Sequence, residues 1–313
     1  MMEASSPAKA ILFGEHAVVY GEPAIAIALD RRISVRVKES SETKVDGGRL
    51  TMRRHRYVRW AMNNLWNGPP LNFRIKSSIP GASGLGSSAA LSCSVASLLR
   101  KMEKGSSSTD KVASDAFEIE YNVQGGASPT DTSCSAHGNG IMVNFEKGED
   151  HLWSLSKGER TWHIHDLKVP EMTLVVGFTG RPSVTHLQVA KVRSFYERSG
   201  FARETVGEIG SLIGDAITAL KREDLVEVGS LMNRNHSLLS ILGASSKELQ
   251  NLVDAAEPLS YGAKLTGAGG GGSIIALTDD PERVADAIKN RGGRPYVVNK
   301  TRLGTEVREL SAE

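Results

Sequence analysis

The sequence predicts an α+β protein of two domains, and three observations lead to this fold class. Short apolar runs typical of strands occur in both halves of the chain, together with segments of helical spacing. The length of 313 residues is too great for one small core and suits two domains of roughly 150 residues each. A polar, irregular stretch at 146–168 separates the halves. We therefore predict domains at 1–165 and 166–313.

Strands are predicted where apolar residues form short runs or alternate with polar ones. In chain order, the candidates are 8–13, 24–29, 33–37, 71–75, 141–145, 172–178, 263–265, 274–277 and 295–299. Helices are predicted where apolar residues recur every three or four positions. They are expected at 89–99, 110–123 and 281–291 and over most of 185–257.

The composition excludes several classes of function. The 38 Lys and Arg nearly balance the 36 Asp and Glu, so a net charge of +2 provides no global field for binding nucleic acid or an anionic membrane. Two cysteines, Cys93 and Cys134, are too few for a disulfide framework and suit a reducing cytoplasm. We find no basic signal region and no apolar run of membrane-spanning length. We expect a soluble cytoplasmic protein.

The glycine-rich stretch PGASGLGSSAA at 80–90 fits two patterns. From Gly81 it matches a P-loop in which Ser87 replaces the lysine, and from Gly84 it matches a dinucleotide fingerprint. On pattern alone, a structural turn explains the loop equally well. Its place between a predicted strand and a predicted helix favours anion binding by free backbone N–H groups. A dinucleotide is disfavoured because Glu103 comes too early to be the expected acidic residue.

The sequence thus predicts a phosphate-binding loop whose positive charge comes from elsewhere in the chain. Its predicted nucleotide-binding residues are Pro80, Gly81, Ala82, Ser83, Gly84, Leu85, Gly86, Ser87, Ser88, Ala89 and Ala90. Gly267 and Gly269, in the second glycine run TGAGGGGS, are expected to touch phosphate or to brace the first loop. A flexible linker is the alternative for that run, but its flanks are strand-like.

Three charged residues could carry out phosphoryl transfer. Lys9 lies in a short apolar strand, although a solvated edge lysine is the simpler interpretation of that segment alone. Glu120 and Asp131 flank a glycine turn. Transfer to an alcohol needs one carboxylate for Mg²⁺ and another for the hydroxyl. Taken alone, a helix-surface Glu and an N-cap Asp explain the pair better.

Taken together, these segments resemble a known family. PAKAILFGEHAVVYGEPAIA, PGASGLGSSAA and KLTGAGGGGS occur in the order of the three motifs of the GHMP kinase superfamily. GEHAVVYG is similar to the mevalonate kinase family, and EIEYNVQGGASPTDT to its archaeal branch. The resemblance covers essentially the whole chain. It implies a domain like ribosomal protein S5 domain 2, a C-terminal ferredoxin-like domain and an active site in the cleft between them.

The resemblance implies that ATP and Mg²⁺ are the cofactors and that the C5 hydroxyl of mevalonate accepts the phosphoryl group. By the same resemblance, Asp131 matches the catalytic base, and Lys9 matches the lysine that polarises the hydroxyl. Ser88 and Glu120 match the Mg²⁺ ligands. A homodimer is common among such relatives.

The substrate end is implied by the same resemblance. Glu15, His16 and Thr185 match positions that face mevalonate. Many mevalonate kinases have an arginine two residues before this threonine, where the chain has Ser183. Arg181 and Arg193 are the nearby cations, and either could meet the substrate carboxylate; Arg193 is the candidate that we carry forward.

Two alternative functions are compatible with these residues. A kinase for phosphomevalonate, homoserine or a sugar is the alternative within the class, and a sensor that binds ATP and a metabolite without turnover is the alternative outside it.

The arginine-rich segment 51–60 is interpreted as a solvated helix face. His163 and His165 lack further ligands nearby in sequence, so a zinc site is not favoured.

Overall fold

A computed structural model describes residues 1–81 and 83–310 of the chain. The strands are β1 (Met2–Phe13), β2 (Ala24–Glu39), β3 (Lys44–Val45), β4 (Gly48–Arg49), β5 (Leu71–Ser77), β6 (Gly140–Val143), β7 (His151–Lys157), β8 (Arg160–Leu167), β9 (Thr173–Phe178), β10 (Gly262–Thr266), β11 (Ser273–Leu277), β12 (Arg294–Asn299) and β13 (Glu306–Glu309). The α-helices are α1 (Arg56–Leu65), α2 (Ser87–Lys104), α3 (Thr109–Gln124), α4 (Thr130–His137), α5 (Thr185–Arg198), α6 (Gly200–Lys221), α7 (Leu225–Ile241), α8 (Lys247–Ala256) and α9 (Pro281–Asn290). Short 3₁₀ helices span Ala17–Tyr20 and Glu257–Leu259.

Within residues 1–81 and 83–310, the first sheet has nine strands and is built around β2. This strand pairs with β1 over most of its length, with β5 through its C-terminal half and with β6 near its start. β8 and β7 extend the sheet beyond β6, and β3 and β4 extend it beyond β5. Only β3 and β5 pair in parallel among these strands. The predicted strands 24–29 and 33–37 are therefore one continuous strand.

In the described part of the chain, the second sheet has four antiparallel strands in the order β10-β11-β9-β12. The middle of β9 is fully buried, at Leu174, Val175 and Val176, because helices cover the sheet. Helix α7 packs on β10, while α8 and α9 pack on the remaining strands. The predicted strands in this half and the helical content of 185–257 are confirmed.

Helices α2 and α4 pack on β1 and β2, and α3 packs on both of these helices. Their small buried residues, Ala89, Ala90, Cys93 and Ala96 in α2, let the helix lie close to the sheet. The α+β class is confirmed. This packing brings the start of α2, the end of α3 and the start of α4 to the same end of β1.

The expectation for 146–168 is wrong, because these residues form the antiparallel strands β7 and β8. Leu155, Trp162 and Ile164 are buried, while the residues between them are polar. The hairpin turns at Gly158, whose φ of 59° suits glycine. Alternation with many polar residues on the solvated face made this edge hairpin look irregular in the sequence.

The last strand connects the two halves of the chain. β13 pairs with β1, so residues 306–309 belong to the first sheet although they follow the second. Within the described residues, no helix is long and apolar enough to cross a membrane.

Candidate active site

The glycine-rich loop lies between β5 and α2, as predicted. Gly84 and Gly86 have φ of 79° and 71°, and Gly86 is the residue before α2. The loop is held to β1 because the Lys9 backbone N–H donates to the Leu85 carbonyl oxygen at 3.0 Å. The first N–H groups of α2 have no partners within the helix, so the loop presents donors for an anion. Ala82, one of the predicted loop residues, lies outside the described residues.

Lys9 is a buried residue of β1, only 2% exposed, and not the solvated edge lysine of the simpler interpretation. Its Nζ lies 3.0 Å from Oδ2 of Asp131, whose side chain is 35% exposed. The same Nζ donates to the Gly84 carbonyl oxygen at 3.3 Å. Asp131 is in the first turn of α4, where the helix dipole favours an anion. One ammonium group therefore joins the predicted base to the glycine loop.

Glu120 is near the end of α3 and is 4% exposed. Ser88 donates to Oε2 of Glu120 at 3.2 Å, and Ser92 donates to Oε1 at 3.3 Å. Burial, and then the nearby Asp131 charge, raises the pKa of Glu120 to about 7. Gln124 also donates to Glu120. The two predicted metal ligands are thus in contact, and both offer the oxygen donors that Mg²⁺ prefers.

Helix α1 adds two residues that the sequence reasoning assigned to a solvated face. The Tyr57 phenol lies near Ser88, and Arg56 donates to the phenol oxygen at 3.1 Å. Burial, followed by the Glu120 charge, raises the pKa of Tyr57. The charge of Arg56 also lies near Glu120, where it opposes the rise in the pKa of that carboxyl. The local pattern in RYVRW contains no signal for this contact with α2.

The turn after β1 carries Glu15 and His16, and both are buried. A Cβ at Gly14 would lie 2.5 Å from the Pro23 carbonyl oxygen, so only glycine allows this close approach. Glu15 forms a buried ion pair with Lys264 of β10. This lysine was missed, although it carries the signal that identified Lys9, a lysine within a short apolar strand.

His16 has a φ of 62°, which is strained for a residue other than glycine. Its Nε2 lies 2.9 Å from the Ala268 carbonyl oxygen, so Nε2–H is the donor. Burial lowers the pKa of His16. The neutral ring then keeps Nδ1 as an acceptor for a ligand hydroxyl.

The second glycine loop lies against the first, as expected. A Cβ atom at Gly84 would lie 3.5 Å from the Thr266 carbonyl oxygen. A Cβ atom at Gly267 would lie 3.8 Å from the Gly84 carbonyl oxygen. Gly269, with a φ of 78°, accepts a hydrogen bond from Ser183 at 2.6 Å. The loop is a tight brace between the two sheets and not a linker.

Thr185 begins α5 and is exposed. It follows by two residues Ser183, which donates to the Gly269 carbonyl oxygen of the second glycine loop. No contact of Thr185 with Asp131 or Lys9 is present among the described residues.

The two candidate arginines differ in what they contact. Arg181 forms an ion pair with Glu248 of α8. Arg193 of α5 is exposed, and it is close enough to Tyr20 for its charge to oppose the rise that burial causes in the pKa of that phenol. Tyr20 stacks on Tyr196 with ring centroids 3.9 Å apart and ends the 3₁₀ helix that follows His16. Arg193 therefore lies near the 3₁₀ helix that follows the Glu15–His16 turn.

The two histidines of β8 each form a hydrogen bond. Nδ1 of His163 and the Ser154 hydroxyl share a hydrogen bond of 2.8 Å. Nε2 of His165 lies 3.2 Å from the Phe145 carbonyl oxygen. In the part of the chain that the structure describes, no group of three or more His, Cys, Asp or Glu side chains could hold a metal ion. A two-ligand magnesium site is compatible with this finding, because Mg²⁺ keeps waters and binds phosphates as well.

The fold and this arrangement define a phosphotransferase of the GHMP class. The models "GHMP kinases N terminal domain" and "GHMP kinases C terminal" match residues 55–139 and 216–294. The chain belongs to the GHMP kinase family.

Within that family, the chain is similar to archaeal mevalonate kinases. It is 36% identical over 344 residues to the mevalonate kinase of Pyrococcus furiosus, with 98% of each chain covered. It is 36% identical over 287 residues to that of Methanothermobacter thermautotrophicus, covering 87% of this chain and 89% of the relative. The crystal structure of the Methanococcus jannaschii mevalonate kinase matches with a TM-score of 0.77 at 26% identity, covering 96% and 98% of the two chains.

Proposed function

We propose that this chain transfers the γ-phosphoryl group of ATP to the C5 hydroxyl of mevalonate, giving 5-phosphomevalonate and ADP in the mevalonate pathway of isoprenoid biosynthesis. The mevalonate kinases of Pyrococcus furiosus and Methanothermobacter thermautotrophicus match over most of their length, which supports the substrate. The observation that carries the proposal is the contact of Lys9 Nζ with both Asp131 and the glycine loop, at 3.0 and 3.3 Å.

Asp131 is the base of the proposed reaction. The C5 oxygen forms a bond to the γ-phosphorus, the bond from that phosphorus to the β–γ bridging oxygen breaks, and the hydroxyl proton passes to Asp131. The ammonium of Lys9, which is in contact with Asp131, holds this carboxylate in place and stabilises negative charge on the attacking oxygen. Positioning and charge stabilisation supply most of the rate enhancement in such transfers.

The phosphates lie at the start of α2 in this proposal. N–H groups of residues 84–88 bind the phosphate oxygens, aided by the helix dipole. Ser88 and Glu120, whose oxygens are in contact, would hold Mg²⁺. When bound, this ion neutralises charge on the phosphates. The missing P-loop lysine is then replaced by backbone donors, by Mg²⁺ and by Arg56, whose charge acts on Glu120.

We place the nucleoside in a cavity of about 640 Å³ next to this centre. Its lining residues are Val45, Asp46, Gly48, Arg49, Thr51, Arg53, Arg54 and His55. The cavity lies at the start of α1, because His55 in its lining is the residue before that helix, and Arg56 and Tyr57 follow in the first turn. Three arginines in the lining suit the polar ribose and α-phosphate end of a nucleotide.

Mevalonate would occupy the space bounded by the Glu15–His16 turn, the second glycine loop and the start of α5. His16 offers an acceptor, Thr185 a hydroxyl, and Arg193 a charge for the substrate carboxylate. Arg181 is already paired with Glu248, which favours Arg193 for this role. Residues of both sheets then line the site, in keeping with a cleft between domains 1–165 and 166–313.

Alcohol-dependent ADP release tests the proposed function. With ATP and Mg²⁺, we expect release with mevalonate and none with phosphomevalonate, homoserine or galactose. Release with one of those alcohols and not with mevalonate would assign a different kinase activity. Binding of ATP and mevalonate without any release would support a sensor. Light scattering of the purified chain tests the homodimer that the resemblance suggests.

A further inference from the structure

Lys264 is a fully buried cation in the middle of β10, with an exposed fraction of 0%. Lysine is almost never fully buried unless it is paired. Its Nζ contacts Oε1 of Glu15 and donates to the Leu265 carbonyl oxygen at 2.8 Å. Glu15 is itself only 1% exposed. The pair joins the turn after the first strand to a strand of the second sheet.

Fold stability does not explain this pair. Removing two charges from water is costly, and well-packed apolar residues often replace a buried ion pair without loss of stability. Among the described residues, Oε2 of Glu15 is buried and has no hydrogen-bond partner, whereas buried polar atoms are normally satisfied. Glu15 therefore keeps one acceptor oxygen that the protein itself does not use.

Glu15 directly precedes His16, which contacts the second glycine loop at the Ala268 carbonyl oxygen. Lys264 faces Glu15 from β10, and the Lys9 charge acts on both Glu15 and Lys264. His16, the next residue, is neutral at ordinary pH because burial lowers its pKa. On the far side, His236 of α7 faces Lys264, and burial lowers its pKa as well.

We propose that Lys264 is a positioning residue of the alcohol site, which holds Glu15 so that Oε2 accepts a hydrogen bond from a substrate hydroxyl. Besides the C5 hydroxyl that reacts, mevalonate has one other hydroxyl, on C3, and this is the donor that Oε2 would accept. Lys264 also cancels the charge of Glu15, so that the acceptor does not repel an anionic substrate. The inference rests on the proposed function, because it assumes that Glu15 faces the alcohol.

Burial raises the pKa of Glu15, and the Lys264 charge opposes that rise. Without Lys264, ionised Glu15 would be present only at higher pH. In Lys264→Met, we therefore expect the KM for mevalonate to rise at least about tenfold, with the KM for ATP unchanged. The acid limb of kcat/KM for mevalonate should move to higher pH. A purely structural role would not move this limb.

A double-mutant cycle separates these roles even if the single variant folds poorly. Glu15→Gln keeps an acceptor oxygen and needs no cation, so adding Lys264→Met to Glu15→Gln should change the KM for mevalonate little. Non-additivity of this kind is the signature of a residue that acts through its partner. An equal loss from Lys264→Met in both backgrounds, or an unmoved acid limb, would overturn the proposal.

Lys300→Met is the matched control. The Lys300 side chain is 1% exposed and pairs with Glu171, which is itself exposed, at 3.2 Å. We expect this variant to keep the KM for mevalonate of the wild type. A wild-type enzyme that releases no ADP with mevalonate would refute the proposed function. A wild-type enzyme that does so, with the KM for mevalonate unchanged in Lys264→Met, would refute only the role of Lys264.

Discussion

Gly86→Ala should separate the catalytic role of the glycine loop from its role in folding. A Cβ at Gly86 would lie 2.8 Å from Cε and 2.9 Å from Cγ of Lys9. Both contacts are too short, and they involve most of the lysine side chain, so the whole side chain must shift. The ammonium would then leave Asp131 and the Gly84 carbonyl oxygen, which it contacts at 3.0 and 3.3 Å.

The expected magnitudes follow from these contacts. A left-handed backbone, here with φ of 71°, costs a residue with a Cβ about 1–2 kcal/mol, partly offset by the lower chain entropy of alanine when unfolded. A displacement of about 1 Å of a positioned group can cost about 100-fold in rate. We expect Gly86→Ala to lose about 2–4 kcal/mol of unfolding free energy, about 1 kcal/mol from the backbone and the remainder from the clash with buried Lys9, and about 100-fold in kcat.

Gly105→Ala is the matched control, because Gly105 ends the same helix with φ of 68° and has no atom within 4 Å of a Cβ. It should lose only the backbone part of this stability, about 1 kcal/mol, in thermal denaturation, while keeping the kcat for mevalonate-dependent ADP release. If the kcat of Gly86→Ala stays within about threefold of this control, Lys9 is not the constrained group and the reasoning fails.

Three further predictions concern the same centre. Asp131→Asn should lower kcat by about 10²–10⁴-fold and leave the Kd for ATP unchanged by calorimetry; near-normal turnover would contradict its role as base. Glu120 has a folded-state pKa of about 7, above its ordinary 4.5. Between these two pH values the folded protein therefore holds more protons than the unfolded chain, and the free energy of unfolding falls as the pH rises from 4.5 to about 7. In EDTA, Glu120→Gln should therefore melt at a higher temperature than the wild type at pH 8 and at a similar temperature at pH 5, and equal melting at both would contradict the burial effect. Tyr57→Phe, which removes the phenol that lies near Ser88 and accepts a hydrogen bond from Arg56, should raise the KM for ATP by about 2–10-fold with the KM for mevalonate unchanged; a change confined to mevalonate would contradict the nucleotide placement.

Local sequence signals were sufficient for most elements and for part of the site. Apolar runs and helical spacing predicted strands and helices that the structure confirms, including β10, β11 and α9. They failed at 146–168, because one face of the β7–β8 hairpin is polar and the alternation is diluted. The division at residue 165 stays a prediction, with β13 returning to the first sheet.

Contacts between distant segments could not be read in the same way. The pattern around Tyr57 is that of an ordinary amphipathic helix, and only the packing of α1 near α2 brings its phenol to Ser88. Lys264 stands out in the sequence as a lysine in an apolar strand, but nothing local identifies Glu15, 249 residues away, as its partner.

By itself, the sequence determined the elements, the two glycine loops and the chemical groups available for phosphoryl transfer, because these depend on short-range spacing and residue type. Tertiary structure alone decided which charges meet. Lys9 contacts Asp131 rather than solvent, and Lys264 forms an ion pair with Glu15. The physical reason is that burial makes an unpaired charge costly, so packing selects a partner from segments that the chain separates widely.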